Sequence, residues 1–108
     1  KLVVMIYKMT KSFPKEEIFS LTSQIRRAAV SIVSNIAEGF SRRSQPDKRQ
    51  FYAIALGSLT ETQSQLLISR DLSYLPNDDF NLIANQSVVV SKLINGLIKS
   101  VSPIPHNT

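Results

Sequence analysis

Residues 21–43 restrict the fold of this chain more than any other segment, and their sequence is LTSQIRRAAVSIVSNIAEGFSRR. With 100° of rotation per residue, apolar side chains recur along one face of a helix. They are Leu21, Ile25, Ala28, Ala29, Ile32, Ile36 and Phe40. Val30, Val33 and Ala37 widen this apolar arc to roughly 200°, against about 100° for a helix that buries one side. We therefore expect a helix with two packing neighbours, one within its own fold and one outside it.

Composition excludes several classes of protein. The 108 residues suffice for one domain with a modest core, and 43% of them are hydrophobic, which is typical of globular proteins. The absence of cysteine excludes a disulfide scaffold, a thiolate metal site and a cysteine nucleophile. It is also compatible with the cytoplasm, the compartment that we expect. No apolar run is long enough to cross a bilayer, so no membrane partner is expected.

Apolar spacing predicts four helices, at about residues 1–11, 21–42, 46–72 and 78–100. Phe-Pro at 13–14 and Leu-Pro at 75–76 interrupt the pattern, because proline disfavours helix in the residue before it. The run SQPD at 44–47 is typical of a helix start, with a serine cap, an early proline and a carboxylate.

Short connections make consecutive helices antiparallel neighbours. We therefore predict an all-α, up-down four-helix bundle over residues 1–101, followed by a flexible tail over residues 102–108. The helical pattern is already present at Lys1, so we expect further residues of the first helix upstream of it.

Apolar residues outside the core faces predict self-association. Besides Val30, Val33 and Ala37, the third helix carries Ile54, Ile68, Leu72 and Leu75 off its main face, and the fourth carries Leu82, Val89 and Leu93. Such stripes on three helices form patches large enough to be contact surfaces. The predicted interface therefore comprises Val30, Val33, Ala37, Ile54, Ile68, Leu82, Val89 and Leu93, and closed rotational symmetry is the usual outcome.

Positive charge is concentrated in the first half of the chain. Residues 1–54 carry ten Lys or Arg against four acids, a net charge of +6, whereas residues 55–108 carry a net charge of −1. Six cations surround the second helix and the turn after it: Arg26, Arg27, Arg42, Arg43, Lys48 and Arg49. A one-sided positive field favours phosphate backbones or an acidic protein surface. The alternative is a solvated basic face that only keeps the protein in solution.

The turn after the second helix carries the first-choice contacts for nucleic acid. They are Arg42, Arg43, Lys48 and Arg49, with Arg26 and Arg27 as second choice. Cations at a helix end suit its dipole, which explains the two arginines of the turn but not Lys48 and Arg49, which begin the next helix. Phosphate contacts of this kind give affinity without sequence readout. Three nearby aromatic residues have core spacing, so base stacking is not expected: Phe40, Phe51 and Tyr52.

The sequence offers little for catalysis. The only histidine is His106, in the expected tail, so one chain cannot form a histidine triad or a multi-histidine metal site. Asn35 and Glu38 lie one helical turn apart, and a structural hydrogen bond or an ion pair with Arg42 explains them better than acid–base chemistry. The Gly-Ser pair at 57–58 permits close approach of helices rather than supplying a nucleophile. We expect no enzyme, no metal and no cofactor.

Several motifs together resemble one bacterial family. They are TSQIRRAAVSI at 22–32, SNIAEGF at 34–40, FYAIALGSLTE at 51–61 and RDLSYL at 70–75. Over about residues 1–100 the chain resembles the four-helix-bundle proteins encoded in intervening sequences of 23S ribosomal RNA. A relative of these proteins is the accessory variability determinant protein of diversity-generating retroelements. The family usually has proline where this chain has Val33, and its first helix extends further upstream.

The resemblance implies a cyclic homo-oligomer, with five as the favoured number of subunits, and a basic surface suited to nucleic acid. For the retroelement relative it also implies partnership with a reverse transcriptase. We therefore predict a non-enzymatic, self-assembling helical bundle that binds the backbone of RNA or DNA without sequence specificity. The alternative is a structural adaptor that docks a protein partner such as a reverse transcriptase.

Overall fold

The computed structural model describes residues 1–103 and contains four α-helices. They are α1 (Leu2–Thr10), α2 (Leu21–Ser41), α3 (Gln45–Asp71) and α4 (Asn77–Ser100), and a single 3-10 turn, Lys15–Glu17, lies between α1 and α2. The described part of the chain contains no strand, which confirms the predicted all-α, four-helix fold. Residues 104–108, with most of the expected tail and His106, lie outside the described residues.

Contacts between α2 and α3 show that these helices are antiparallel. Gly39, near the end of α2, contacts Tyr52 near the start of α3. Further along the pair, the hydroxyl groups of Ser31 and Ser58 lie 2.9 Å apart, within hydrogen-bond distance. As the position rises along α3, the contacting position therefore falls along α2, as the short connection between the helices requires.

The α3–α4 pair is also antiparallel. The guanidinium of Arg49 donates a hydrogen bond to the Val101 carbonyl, just after α4, and the Gln63 amide donates to the Ser87 hydroxyl at 3.1 Å. The short helix α1 packs against α2 and α4, and α3 packs against the same two helices. Helices α1 and α3 therefore lie on opposite sides of the bundle.

The core is one cluster of aliphatic side chains to which all four helices contribute. Its buried members are Leu2, Ile6, Ile25, Ala29, Ile32, Ala55, Leu59, Leu66, Leu75, Ile83 and Ile94. The expectation that Leu75 lies off the packed face is wrong, because α3 ends at Asp71 and helical spacing no longer applies beyond it. Ser73 takes a left-handed conformation, with φ of 63°, in the turn that returns Leu75 to the core.

A hydrogen bond joins the connection between α1 and α2 to the connection between α3 and α4. The Tyr74 hydroxyl donates a hydrogen bond to the Glu17 carboxylate at 2.9 Å, and the Ser20 hydroxyl donates to the same carboxylate. The bonds from Ser20 and Tyr74 lower the pKa of Glu17, and the bond to Glu17 raises the pKa of Tyr74. In the connection between α1 and α2, Phe19 is 96% exposed.

Gly39 permits close packing of α2 against α3. A Cβ atom at this position would overlap with Cε1 of the buried Tyr52 and would lie only 2.8 Å from its Cδ1, which is closer than real Cβ contacts. Gly39 lies within α2 rather than at its end, since the helix continues to Ser41. The expectation that Gly57 serves close packing is wrong, because no neighbouring atom lies within 4 Å of the Cβ position there.

In the described residues, no helix combines the length and the hydropathy that crossing a membrane requires.

The contact between Gly39 and Tyr52 predicts a sharp difference between two glycine substitutions. Gly39→Ala should lower the free energy of unfolding by about 1–3 kcal/mol, because the added methyl group overpacks the α2–α3 contact. Gly57→Ala is the matched control, and it should leave stability unchanged or raise it by up to about 1 kcal/mol, since alanine favours helix. Urea denaturation followed by circular dichroism measures both. Equal stability of the two variants would contradict this account of Gly39.

Candidate nucleic-acid interface

The connection between α2 and α3 brings four cations together at one corner of the bundle. Helix α2 ends at Ser41 because Arg42 takes an extended backbone conformation, and the Ser44 hydroxyl caps α3 by accepting a hydrogen bond from the Asp47 backbone amide at 3.2 Å. The connection is only three residues long, so Arg42 and Arg43 lie within it and Lys48 and Arg49 follow near the start of α3. We refer to Arg42, Arg43, Lys48 and Arg49 as the basic corner.

Lys48 has a structural role that the sequence did not reveal. Its ammonium group donates hydrogen bonds to the carbonyl oxygens of Gly39 and Phe40, each at 3.1 Å. These carbonyls belong to the last turn of α2, where the dipole favours a cation, and the Gly39 carbonyl also accepts a hydrogen bond from the Arg42 backbone amide. The expectation that the helix-end explanation fails for Lys48 is therefore wrong, because the side chain reaches back across the turn to the preceding helix.

Arg49 and Arg42 are also held in place. Arg49 is anchored to the Val101 carbonyl, beyond the end of α4. Arg42 forms an ion pair with Glu38 at 2.9 Å, and its guanidinium lies 4.7 Å from the centre of the Phe51 ring. Hydrogen bonds to neutral carbonyls leave the positive charge of Lys48 and Arg49 in place, whereas Glu38 offsets the charge of Arg42.

Arg43 is exposed, and within residues 1–103 it forms no hydrogen bond or ion pair that satisfies ordinary distance limits. Its side chain is therefore available to a ligand. The basic corner thus combines two anchored cations whose charge is not neutralised, one arginine paired with a carboxylate, and one exposed arginine.

Arg26 and Arg27 do not belong to the basic corner. They lie 15 or more residues before Arg42 on the same helix, which corresponds to about 22 Å. Arg26 packs inside the subunit: its Nε donates a hydrogen bond to the Thr10 hydroxyl at 2.8 Å, and its guanidinium lies 4.8 Å from the centre of the Tyr7 ring. Arg27 is exposed and borders a shallow polar groove between α2 and α3.

The aromatic residues near the basic corner differ in burial. Tyr52 is buried, as its core spacing predicts, and Phe51 is half-buried beneath Arg42. Phe40 is 60% exposed, so the expectation that it lies in the core is wrong. Its position on the apolar arc is correct, but it lies one helical turn beyond Ile36, which lines an apolar cleft together with Lys1, Leu2 and Val3.

Asn35 and Glu38 do not form a pair. The Asn35 amide donates hydrogen bonds to the carbonyl of Ser31 at 2.8 Å and to its hydroxyl at 3.0 Å, while Glu38 pairs with Arg42. Both groups thus have structural partners on α2. In the described part of the chain, no three His, Cys, Asp or Glu side chains are grouped so that they could hold a metal ion.

The predicted interface residues are all exposed, but they do not form one surface. Val33, Val89 and Leu93 line one apolar cleft of about 250 Å³ between α1, α2 and α4. Val30 and Ala37 are exposed on α2 outside this cleft, and Ile54 and Ile68 are exposed on α3, on the opposite side of the bundle. Leu82 is exposed near the start of α4. The sequence identified the uncovered residues but could not divide them between surfaces.

The contacts of Lys48 predict a difference in stability within the basic corner. Lys48→Met should lower the free energy of unfolding by about 1 kcal/mol, because the last carbonyls of α2 are left without their charged donor. Arg43→Met, which removes the same charge from an exposed side chain, should change it by less than about 0.5 kcal/mol. Thermal unfolding of both variants tests this. Equal effects would show that the Lys48 contacts do not stabilise the fold.

Comparison with known proteins identifies the family. The chain matches a crystal structure, at 1.70 Å resolution, of a protein of unknown function from the S23 ribosomal protein family of Bacteroides thetaiotaomicron. The sequences are 29% identical, the match covers 90% of this chain and 88% of that one, and the TM-score is 0.78. No curated protein matches significantly. The sequence profile of the 23S rRNA-intervening sequence proteins matches residues 1–96, and the chain therefore belongs to that family.

Proposed function

We propose that this protein is a non-enzymatic, self-assembling bundle that binds the phosphate backbone of nucleic acid at the basic corner. The observation that carries this proposal is the anchoring of Lys48 and Arg49 to neutral carbonyls. Their positive charges are held at fixed positions without a carboxylate to neutralise them. Ordering these long side chains before binding reduces the entropy that a ligand would otherwise have to offset.

Arg43 complements the two anchored cations. Its exposed side chain can follow the position of a phosphate, while the anchored pair supplies a constant local field. Two acidic residues, Glu38 and Asp47, lie in or beside the corner, so one subunit presents a modest net charge. Several copies of the corner in one assembly would add their fields and contacts, which connects nucleic-acid binding to self-association.

Backbone binding predicts a specific dependence on salt. The double variant Arg42→Gln/Arg43→Gln removes two cations and leaves the Lys48 hydrogen bonds intact. It should bind RNA and DNA more weakly, and the slope of log K against log salt should become shallower by about 0.7–0.9 for each phosphate that is no longer neutralised. Fluorescence anisotropy at several salt concentrations measures affinity and slope together.

The matched control is Lys8→Gln/Lys11→Gln, which removes two exposed cations at the opposite end of α2 from the corner. This variant should keep the slope of the unchanged protein. If the unchanged protein binds no nucleic acid at low salt, or if both double variants behave alike, the basic corner is not the binding surface.

Self-assembly is supported by two different apolar surfaces on opposite sides of the bundle. One is the cleft lined by Val33, Val89 and Leu93, and the other is the exposed face of α3 with Ile54 and Ile68. Contact between two different patches is heterologous, and a heterologous contact that closes on itself generates a ring. A ring of five subunits is the number favoured by the resemblance to the family.

Light scattering tests the assembly directly. The unchanged protein should have a mass several times the 12.1 kDa of one chain. The double variant Val33→Asp/Leu93→Asp should have the mass of one chain, because assembly would bury two charges in the contact. Ser34→Asp, which adds a charge at an exposed polar position beside Val33, should leave the assembly intact. A monomeric unchanged protein would contradict the proposal.

A second candidate function is docking of a protein partner, such as the reverse transcriptase that the resemblance suggests. It is favoured by Ile18 and Phe19, two large apolar side chains that are exposed in the connection between α1 and α2. This position lies about 30 Å from the basic corner, at the other end of α2. A co-purified partner that survives nuclease treatment and is lost on Phe19→Ala would favour docking over nucleic-acid binding.

A further inference from the structure

Phe19 lies at the end of the bundle that is opposite to the basic corner. Its side chain is 96% exposed, in the connection between α1 and α2. Both ends of the described chain lie elsewhere. Lys1 lines the apolar cleft with Val33, about 18 Å beyond the start of α2. Val101 accepts a hydrogen bond from Arg49 of the basic corner. The surroundings of Phe19 are therefore formed by the two connections that meet at this end of the bundle.

A carboxylate is held near this ring without being neutralised. The Glu17 carboxylate accepts hydrogen bonds from the hydroxyl groups of Tyr74 and Ser20. Ser20 directly follows Phe19 in the chain. Both donors are neutral, so the negative charge of Glu17 remains. Glu16 adds a second, exposed carboxylate in the same 3-10 turn. Within residues 1–103, neither carboxylate forms an ion pair, and no cation lies over the Phe19 ring. We refer to Phe19, Glu16 and Glu17 as the Phe19 site.

Two arginines of the chain already occupy such a combination of a phenylalanine ring and a carboxylate. One is Arg42 of the basic corner. The other is Arg70, whose guanidinium lies 4.6 Å from the centre of the Phe80 ring and pairs with Asp71 at 3.2 Å. A guanidinium can stack on a ring and donate to a carboxylate at the same time, because its N–H groups lie in the plane and its faces remain free. The Phe19 site offers the same two elements to an arginine from outside the chain.

The charge at this end of the bundle favours a basic partner. The two connections and their flanking residues, 11–20 and 70–79, carry five acids against three cations, a net charge of −2. The chain as a whole carries +5, so the positive charge lies outside this end. A phosphate backbone would be repelled there, whereas a basic segment of a protein would be attracted. Ile18, which is 48% exposed beside Phe19, adds an apolar contact for a side chain that neighbours the arginine.

We propose that the Phe19 site binds an arginine side chain of a basic protein segment, with the guanidinium stacked on the Phe19 ring and hydrogen-bonded to Glu16 or Glu17. This inference rests on the second candidate function, docking of a protein partner, and it names the chemistry of that partner. Lysine fits the site less well, because its ammonium group is compact, strongly hydrated and not planar. The basic corner lies about 30 Å away, so one subunit can bind nucleic acid and a basic protein together.

Two fluorescent nonapeptides of equal charge test the site by anisotropy. One contains three arginines and the other three lysines, and leucine and serine occupy the remaining positions of both. The unchanged protein should bind the arginine peptide more tightly. Phe19→Ala should weaken binding of the arginine peptide by about 2- to 30-fold, the range of one contact between a cation and an aromatic ring. Phe19→Leu should weaken it as well, because leucine keeps an apolar side chain and lacks the ring.

The carboxylates are tested separately. Glu16→Gln/Glu17→Gln removes both charges of the site, while glutamine can still accept the hydrogen bond from Tyr74. This variant should lose the preference for arginine over lysine. Asp78→Asn/Asp79→Asn is the matched control, because it removes two carboxylates at the same end of the bundle but outside the site. The control should keep the preference. Circular dichroism of each variant checks that the helices are intact.

A further variant reports on stacking directly. The chain contains no tryptophan, so Phe19→Trp introduces a single fluorescent indole at the site. Tryptophan is the ring that attracts cations most strongly, so this variant should bind the arginine peptide at least as tightly as the unchanged protein. The indole emission should change more with the arginine peptide than with the lysine peptide. This measurement also shows that the ring remains accessible in the assembled protein.

The outcomes separate this inference from the proposed functions. Equal binding of the two peptides, or no binding of either, would overturn the arginine site, while a co-purified partner that depends on Phe19 would leave docking intact. Unchanged binding by Phe19→Leu would show an apolar contact only and would also overturn it. A change of assembly mass in Phe19→Ala, together with Phe19→Trp emission that neither peptide alters, would assign the ring to a contact between copies. Affinity of Phe19→Ala for RNA and DNA should stay unchanged, because the basic corner lies at the other end of the bundle.

Discussion

The close contact of Gly39 with Tyr52 governs how the neighbouring parts of the molecule are arranged. Because Gly39 has no side chain, α2 packs closely on Tyr52, about two turns into α3. This approach lets Lys48 reach the last carbonyls of α2, and it places Tyr52 beneath the exposed ring of Phe40. A single missing methyl group thus permits close packing between the end of one helix and the start of the next.

The same contact connects stability with the candidate function. A lysine that caps a helix end lowers the free energy of the fold, yet it keeps the charge that a phosphate would meet. Arg49 does the same at the end of α4, whereas Arg42 is paired with Glu38. The basic corner therefore contributes to the stability of the fold. Its affinity for nucleic acid would come from the positive charges that no carboxylate neutralises.

The exposed apolar residues lie on both sides of the bundle. The apolar cleft around Val33 and Leu93 lies between α2, α4 and the first residues of α1. On the other side of the bundle, α3 carries its own exposed face. Membership of the 23S rRNA-intervening sequence protein family supports the helical fold of this chain. The proposals about its ligand rest on the charge and the apolar character of these surfaces.

The four helices and most of the core could be predicted from the sequence alone, because helical periodicity and proline and serine signals act over a few neighbouring residues. The sequence also identified the cations of the corner and about half of the exposed large apolar residues, although not Ile18, Phe19 or Leu67. What each of these side chains contacts was decided by the folded arrangement of the helices. Lys48 reaches a different helix, and Leu75 returns to the core after α3 has ended. Such outcomes depend on the distances between elements, which periodicity along one helix does not contain.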